Sequence, residues 1–297
     1  MAEGNMIFWA SIFFTLVVSI PSLSLSAEDV ATPAKIESFY SVVVIGETAK
    51  PVTIWYYAPS LASAYSPVLF IMHGMERKPR LYLEPWVPYA KREGVYLVAP
   101  EFSREHFAGS RNYNLGGIRP GRAAESPPGE TTYGAIEKIF DEFVKATGSR
   151  SKTYWIYGHS AGAQFVHRMI LLTPAIRLNL AIAANAGWYT IPSFQQTFPY
   201  GLSGSGATVD GLRHALKKKL IVFLGEEDRD PQHPSLNRSQ GAMKQGEHRF
   251  ARGETFYQTA KIEAERLGAE FGWELKTVHG AGHDNAAMAR AAAALLR

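Results

Sequence analysis

Beyond residue 27 the chain alternates short apolar runs, bounded by Gly, Pro or polar residues, with longer segments whose apolar positions recur every three to four residues. The short runs predict strands. There are eight, at 41–45, 52–58, 67–73, 95–99, 153–157, 180–185, 220–224 and 274–278. Helices are predicted between and after them. In 133–147, Ile136, Ile139, Phe140 and Phe143 share one helical face. Further helices are expected at 81–93, 161–172, 211–218, 250–267 with its alternating charge, and the Ala-rich 285–296. Two hairpin-like strands followed by repeated strand–helix units predict an α/β fold with a mostly parallel, eight-stranded sheet. Continuous Val, Ile and Leu runs fit strands covered by helices on both faces. No repeat or linker divides residues 28–297, which are expected to form one domain.

Two long segments break the pattern. Residues 101–132 are rich in Gly, Arg and Pro, and residues 187–210 in Gly, Ser and aromatics. Both follow predicted strands at their C-terminal ends, where open α/β sheets bind ligands, and irregular segments of this length are usually functional or disordered. The second is short for a cap, so a small lid or an open cleft is expected.

The N-terminus reads differently. Residues 6–20 (MIFWASIFFTLVVSI) are almost wholly apolar but shorter than the ~20 residues that span a bilayer. Small residues follow, ending at Ser26 and Ala27. This is the h-region and cleavage site of a secretory signal, expected over 1–27. Glu3, and the lack of Lys or Arg before the apolar run, depart from that pattern; an uncleaved anchor is the alternative. No later stretch is long enough to span a membrane, and a secreted or periplasmic protein is expected.

Composition narrows the chemistry. The chain has 297 residues, 46% of them apolar and 20% charged, which excludes a collagenous or mainly disordered protein. It has no Cys, so disulfides, thiolate metal sites and a cysteine nucleophile are impossible. The net charge of +4 comes from scattered Lys and Arg. Nucleic acid is therefore not an expected partner, and an anionic substrate is the better use of the charge.

Gly158-His159-Ser160-Ala161-Gly162 matches G-x-S-x-G. TYWIYGHS reads as a strand entering a sharp turn and AGAQFVHRMILL as a helix leaving it, the setting of a nucleophile elbow. The glycines let helix and strand approach, and Ser160 is left exposed at the sheet edge. A serine hydroxyl needs a base to take its proton, and the order on such a sheet is Ser, acid, His. Asp228, in LGEEDRDP, is the first choice of acid, ahead of Asp230 and Glu227. His283, in HGAGHD, is the base, with His279 as competitor. The oxyanion of a tetrahedral intermediate needs preorganised N–H donors. Ala161, after the nucleophile, and Met75, in the His73-Gly74-Met75 turn after the third strand, occupy the required places.

With these residues the chain resembles the α/β-hydrolase superfamily from about residue 41 to its end. GHSAGAQFVHR, LGEEDRDP and HGAGHD are most similar to polyhydroxybutyrate-depolymerase-like and dienelactone-hydrolase-like esterases. The resemblance implies the α/β-hydrolase fold and a serine acyl-enzyme mechanism with no cofactor and no metal. Two departures matter. Dienelactone hydrolases proper carry cysteine as nucleophile, so Ser160 argues against that reaction. Extracellular polyester depolymerases usually carry a linker, a polymer-binding domain and often disulfides, whose absence argues against attack on a solid polyester.

The expected function is therefore hydrolysis of a small or oligomeric carboxylic ester. Amide cleavage in an anionic polymer or peptide is the second reading. A non-catalytic binding protein on the same fold is the third, though such proteins typically lose a triad member. Trp188 and Tyr189 are candidate substrate-binding residues, with Phe194, Phe198 and Tyr200 as further aromatics that either line a subsite or pack the segment down. Arg77, Lys78, Arg80, Arg111, Arg119 and Arg122 form either an anion site or a solvated basic face. His159 and His167 read as packing.

Overall fold

All eight apolar runs pair into one sheet in the computed structural model, which describes Met1, residues 35–121 and residues 128–296. Apart from Met1, the predicted export segment lies outside the described residues. Antiparallel strands β1 (Glu37–Ile45) and β2 (Thr48–Tyr57) are joined at Gly46, whose φ of +58° suits a two-residue hairpin turn. The others are β3 (Val68–Met72), β4 (Tyr96–Glu101), β5 (Tyr154–His159), β6 (Leu178–Ala184), β7 (Leu220–Gly225) and β8 (Trp273–Val278). Their order is β1-β2-β4-β3-β5-β6-β7-β8, antiparallel from β1 through β2 to β4 and parallel from there on. This is the α/β-hydrolase order.

Burial follows strand position. At the edge, β1 alternates between exposed and more buried residues, whereas β3 and β7 are buried throughout. Strand alternation sends Phe70 to one core and its neighbours Leu69 and Ile71 to the other. The first core lies under α3 (Ala135–Thr147), α4 (Ala161–Leu172), α5 (Val209–Lys217) and α7 (Arg249–Leu267). The second lies under α1 (Pro79–Leu83), α2 (Val87–Glu93) and α8 (Asn285–Ala293).

Two features depart from the sequence expectation. The helix expected at 81–93 is broken into α1, a 3-10 turn at Glu84–Trp86, and α2. Pro79, Pro85 and Pro88 each stand in the first turn of their own segment, because a proline cannot donate to the previous turn and clashes with its carbonyl. A four-residue helix, α6 (Gln240–Met243), has no sequence signal, being too short for a periodic pattern. The segment 101–132 is not loose where described. Phe102, Phe107 and Tyr113 are buried, and the Arg77 guanidinium donates to the carbonyls of Phe102 (2.6 Å) and Gly109 (2.9 Å). Residues 185–208, joining β6 to α5, contain no helix or strand, so any cap is small. Among the described residues no helix is long and apolar enough to cross a membrane.

The approach of α4 to the sheet depends on two glycines. A Cβ on Gly162 would lie 2.0 Å from the Met72 carbonyl oxygen, and one on Gly158 would lie 2.3 Å from the Gly162 carbonyl. Both obstacles are backbone and cannot swing away. Helix propensity alone favours Ala over Gly by about 1 kcal/mol, but overpacking costs about 1–3 kcal/mol. Gly162→Ala is therefore expected to lower the thermal midpoint; a variant as stable as wild type would show that β3 and α4 part without cost.

Candidate active site

Strand β5 ends at His159 and α4 begins at Ala161, leaving Ser160 alone to turn the chain. Its φ of +57° and ψ of −116° are strained for a residue with a side chain. The neighbours hold it there. Its N–H donates to the Ala184 carbonyl at 3.0 Å, and its carbonyl accepts from Gln164 N at 3.1 Å. The result is an elbow with the hydroxyl at the C-terminal edge of the sheet.

The turns after β7 and β8 meet at the same edge. Glu226 N donates to the Val278 carbonyl (3.1 Å) and Glu227 N to the Ala281 carbonyl (2.9 Å). Asn185, at the end of β6, ties both turns together: its Nδ2 donates to the Gly282 carbonyl (2.8 Å) and its Oδ1 accepts from Gly225 N (2.7 Å). These bonds bring three side chains into line. His283 Nε2 lies 3.1 Å from Ser160 Oγ, and His283 Nδ1 lies 2.7 Å from Asp228 Oδ2. Of the candidate acids, Asp228 is buried and reaches the imidazole, while Glu227 and Asp230 are exposed. His279 is exposed and pairs with Glu226 at 3.0 Å.

The second oxygen of Asp228 meets a residue that sequence reading missed. Arg249 Nη1 donates to Asp228 Oδ1 at 3.1 Å, and both side chains are buried. Arg249 Nη2 donates to Ser235 Oγ at 2.8 Å. In sequence Arg249 is one of many charges at the start of a polar helix, and Asn185 one residue in an apolar run, so neither carries a signal.

A cleft of about 390 Å³ opens over Ser160, with Met75, Tyr82, Asn114, Gln164 and Trp188 among its walls. Ala161 is the first residue of α4, where a helix leaves N–H groups without an internal partner. Met75 follows a turn held from behind by His73. His73 Nε2 accepts from Phe102 N at 3.2 Å, so Nδ1 carries the proton and donates to the Gly74 carbonyl at 3.0 Å. Burial pushes the His73 imidazole down to about 3, leaving it neutral. Gly74 leaves room for the Tyr82 hydroxyl, from which a Cβ would lie 2.1 Å.

The remaining expectations divide. Trp188 lines the cleft and lies against Tyr200, with ring centroids 4.9 Å apart. Tyr189 is not at the cleft. Its ring stacks on Phe256 in the core, 4.5 Å between centroids. Phe198 is buried, and Phe194 packs on the same core. Arg77 is a buried strut, Lys78 pairs with Glu76, and Arg80, Arg111 and Arg119 are exposed; Arg122 lies outside the described residues. His159 and His167 are buried, and burial holds both well below the ordinary histidine range. His167 has a packing role, accepting Thr190 N at 3.0 Å. His159 lies beside His283, 4.6 Å between rings, as a neutral neighbour.

Sheet order and elbow define an α/β-hydrolase. Among solved structures, the chain is similar to poly(aspartic acid) hydrolase-1 from Sphingomonas sp. KT-1, with 40% identity, a TM-score of 0.84, and 89% of this chain and 98% of that one covered. It is also similar to LpqC, a poly(3-hydroxybutyrate) depolymerase from Bordetella parapertussis, with 32% identity, a TM-score of 0.83, and 88% and 89% covered. An S-formylglutathione hydrolase from Agrobacterium tumefaciens, at 14% identity, a TM-score of 0.57, and 89% and 94% coverage, shares the fold. Neither a scan against family models nor a search of curated proteins returns a match. The chain belongs to the α/β-hydrolase family, in the group that includes these first two relatives.

Arg249 offers a test of how the site is held. Removing one partner of a buried ion pair leaves the other charge uncompensated, at a cost of about 3–5 kcal/mol. Arg249→Met is expected to lower the thermal midpoint strongly. An unchanged midpoint would mean that Asp228 does not depend on this partner.

Proposed function

We propose that this hydrolase cleaves carboxylic esters through an acyl-enzyme formed on Ser160. The observation that carries the reading is the continuous path from Ser160 Oγ through His283 to buried Asp228, at 3.1 Å and 2.7 Å. In this reading His283 takes the Ser160 proton as Oγ attacks the acyl carbon, and the Met75 and Ala161 N–H groups receive the oxyanion. The carbonyl re-forms as His283 gives the proton to the leaving group. Water, deprotonated by His283, then releases the acid and restores Ser160. Asp228 holds the imidazole in the tautomer with its proton on Nδ1 and stabilises the imidazolium.

Esters are the first choice because an alkoxide leaves with less help from His283 than an amine. Amide cleavage in an anionic polymer is the second reading, supported by the 40% identity to a poly(aspartic acid) hydrolase. Both relatives act on polymers by name, which supports an oligomeric or polymeric substrate for this chain. The apolar residues 6–20 support export. Exported protein is expected to begin at Glu28 when sequenced from its N-terminus, and retention of residues 1–27 in the membrane fraction would indicate an anchor instead.

The central test is intact mass after treatment with a fluorophosphonate. One adduct is expected on wild type and none on Ser160→Ala, whose kcat on an activated ester should fall by about 10⁴-fold or more. Folded wild type that takes no adduct would favour the binding-protein reading. Matched ester and amide panels then separate the two hydrolytic readings.

A further inference from the structure

Gln164, in the first turn of α4, donates its backbone N–H to the Ser160 carbonyl and, like Ser160, lines the cleft. Its side chain is held in one orientation from behind. The amide oxygen accepts from Asn114 Nδ2 at 3.0 Å and from Arg168 Nη1 at 3.2 Å. A flipped amide would set its NH₂ against two donors, so the oxygen faces inward. The NH₂ is left beside Gly187, another cleft residue, where a Cβ would lie 3.1 Å from Nε2. Among the described residues this NH₂ donates to no protein group, and it is not sealed from solvent.

Behind this amide lies a charge without a counter-ion. Arg168 is fully buried, yet among the described residues its hydrogen bonds reach only neutral oxygens: Thr190 Oγ1, the Asn114 carbonyl, and the carbonyl and Oε1 of Gln164. Its Nη2 has no partner, and among the described residues no carboxylate pairs with it. Burial pulls the guanidinium down to about 10, which leaves it charged at neutral pH. The Trp188 ring, 4.2 Å away, is a weak substitute for a carboxylate. The carboxylate in the cleft wall, Glu76, is already paired with Lys78 at 2.8 Å. A buried, uncompensated cation is costly and projects its field through low-dielectric surroundings onto the cleft.

We infer that Gln164, oriented by Asn114 and backed by the Arg168 charge, binds a carboxylate on the acyl part of the substrate and so selects anionic acyl groups over neutral ones. This rests on the reading of Ser160 as the nucleophile. The geometry fits it: Gln164 and Ser160 line the same cleft of about 390 Å³, which suits a carboxylate a few bonds from the scissile carbonyl. A neutral second carbonyl could accept the same N–H but would gain little from Arg168, because hydrogen bonds to charged groups are roughly twice as strong as neutral ones.

The test needs no turnover. A neutral fluorophosphonate labels Ser160, and monoethyl fumarate or diethyl fumarate is added as protectant, one carrying a carboxylate and the other not. In wild type the monoester is expected to protect at about tenfold lower concentration. Gln164→Glu keeps both inward hydrogen bonds but replaces the NH₂ with an anionic oxygen, and it should abolish or reverse that preference. Gln164→Met, which removes the donor at similar size, should also erase it, and serves if the first variant does not fold. Equal protection by the two esters, no protection by the monoester, or an undiminished preference in a folded variant overturns the inference and leaves Ser160 as nucleophile. Wild type that takes no label overturns the nucleophile reading and the inference with it.

Discussion

Everything at the C-terminal edge of the sheet depends on how closely α4 approaches β3 and β5. Ser160 has a side chain at φ +57°, a conformation that costs about 1–3 kcal/mol when held. It is held because α4 is buried along almost its whole length, from Ala161 to Leu171, and is clamped onto the sheet. That contact exists only because Gly158 and Gly162 present no side chain to the backbone they face. The packing free energy of a helix thus sustains a local strain that the serine alone would relax, and the strain is what presents its hydroxyl.

The same edge assembles the other two members of the line by cross-linking turns. Asp228 and His283 are separated by 55 positions, on turns that β7 and β8 deliver side by side. The parallel pairing sets their spacing only coarsely. Two backbone hydrogen bonds and the Asn185 amide refine it to hydrogen-bond reach. Arg249 then fixes the second carboxylate oxygen, which leaves Oδ2 directed at the imidazole. A carboxylate with both oxygens engaged has little freedom to rotate away. Preorganisation of this kind separates a positioned charge from a merely nearby one.

Much of this was legible beforehand, because its signals are local. Each run of five to seven residues is a strand whose ends moved by only a few positions, and the central ones are the clearest, since burial on two faces demands continuous apolar sequence. G-x-S-x-G between strand and helix is legible because the turn's sterics dictate its glycines. Asp228 is separable from Glu227 and Asp230 only in three dimensions, because neighbouring residues on a tight turn point in different directions. Tyr189 and Trp188 show the same limit: adjacent aromatics of similar character, one in the core and one at the cleft.

By itself the sequence determined the α/β class, the eight strands, the elbow serine, and the histidine and acidic turn that follow it in order. Those features come from hydrophobic periodicity, glycine sterics and residue chemistry, all of which act over a few positions. Only the tertiary structure decided which carboxylate meets His283, that Arg249 and Asn185 brace the site, that Arg77 is a strut rather than a substrate ligand, and that Gln164 turns its NH₂ outward. The physical reason is common to all of these. A polar side chain's role is set by the partners it meets across the fold, through hydrogen bonds and charge pairs between residues tens of positions apart, and no local pattern records which partner is within reach.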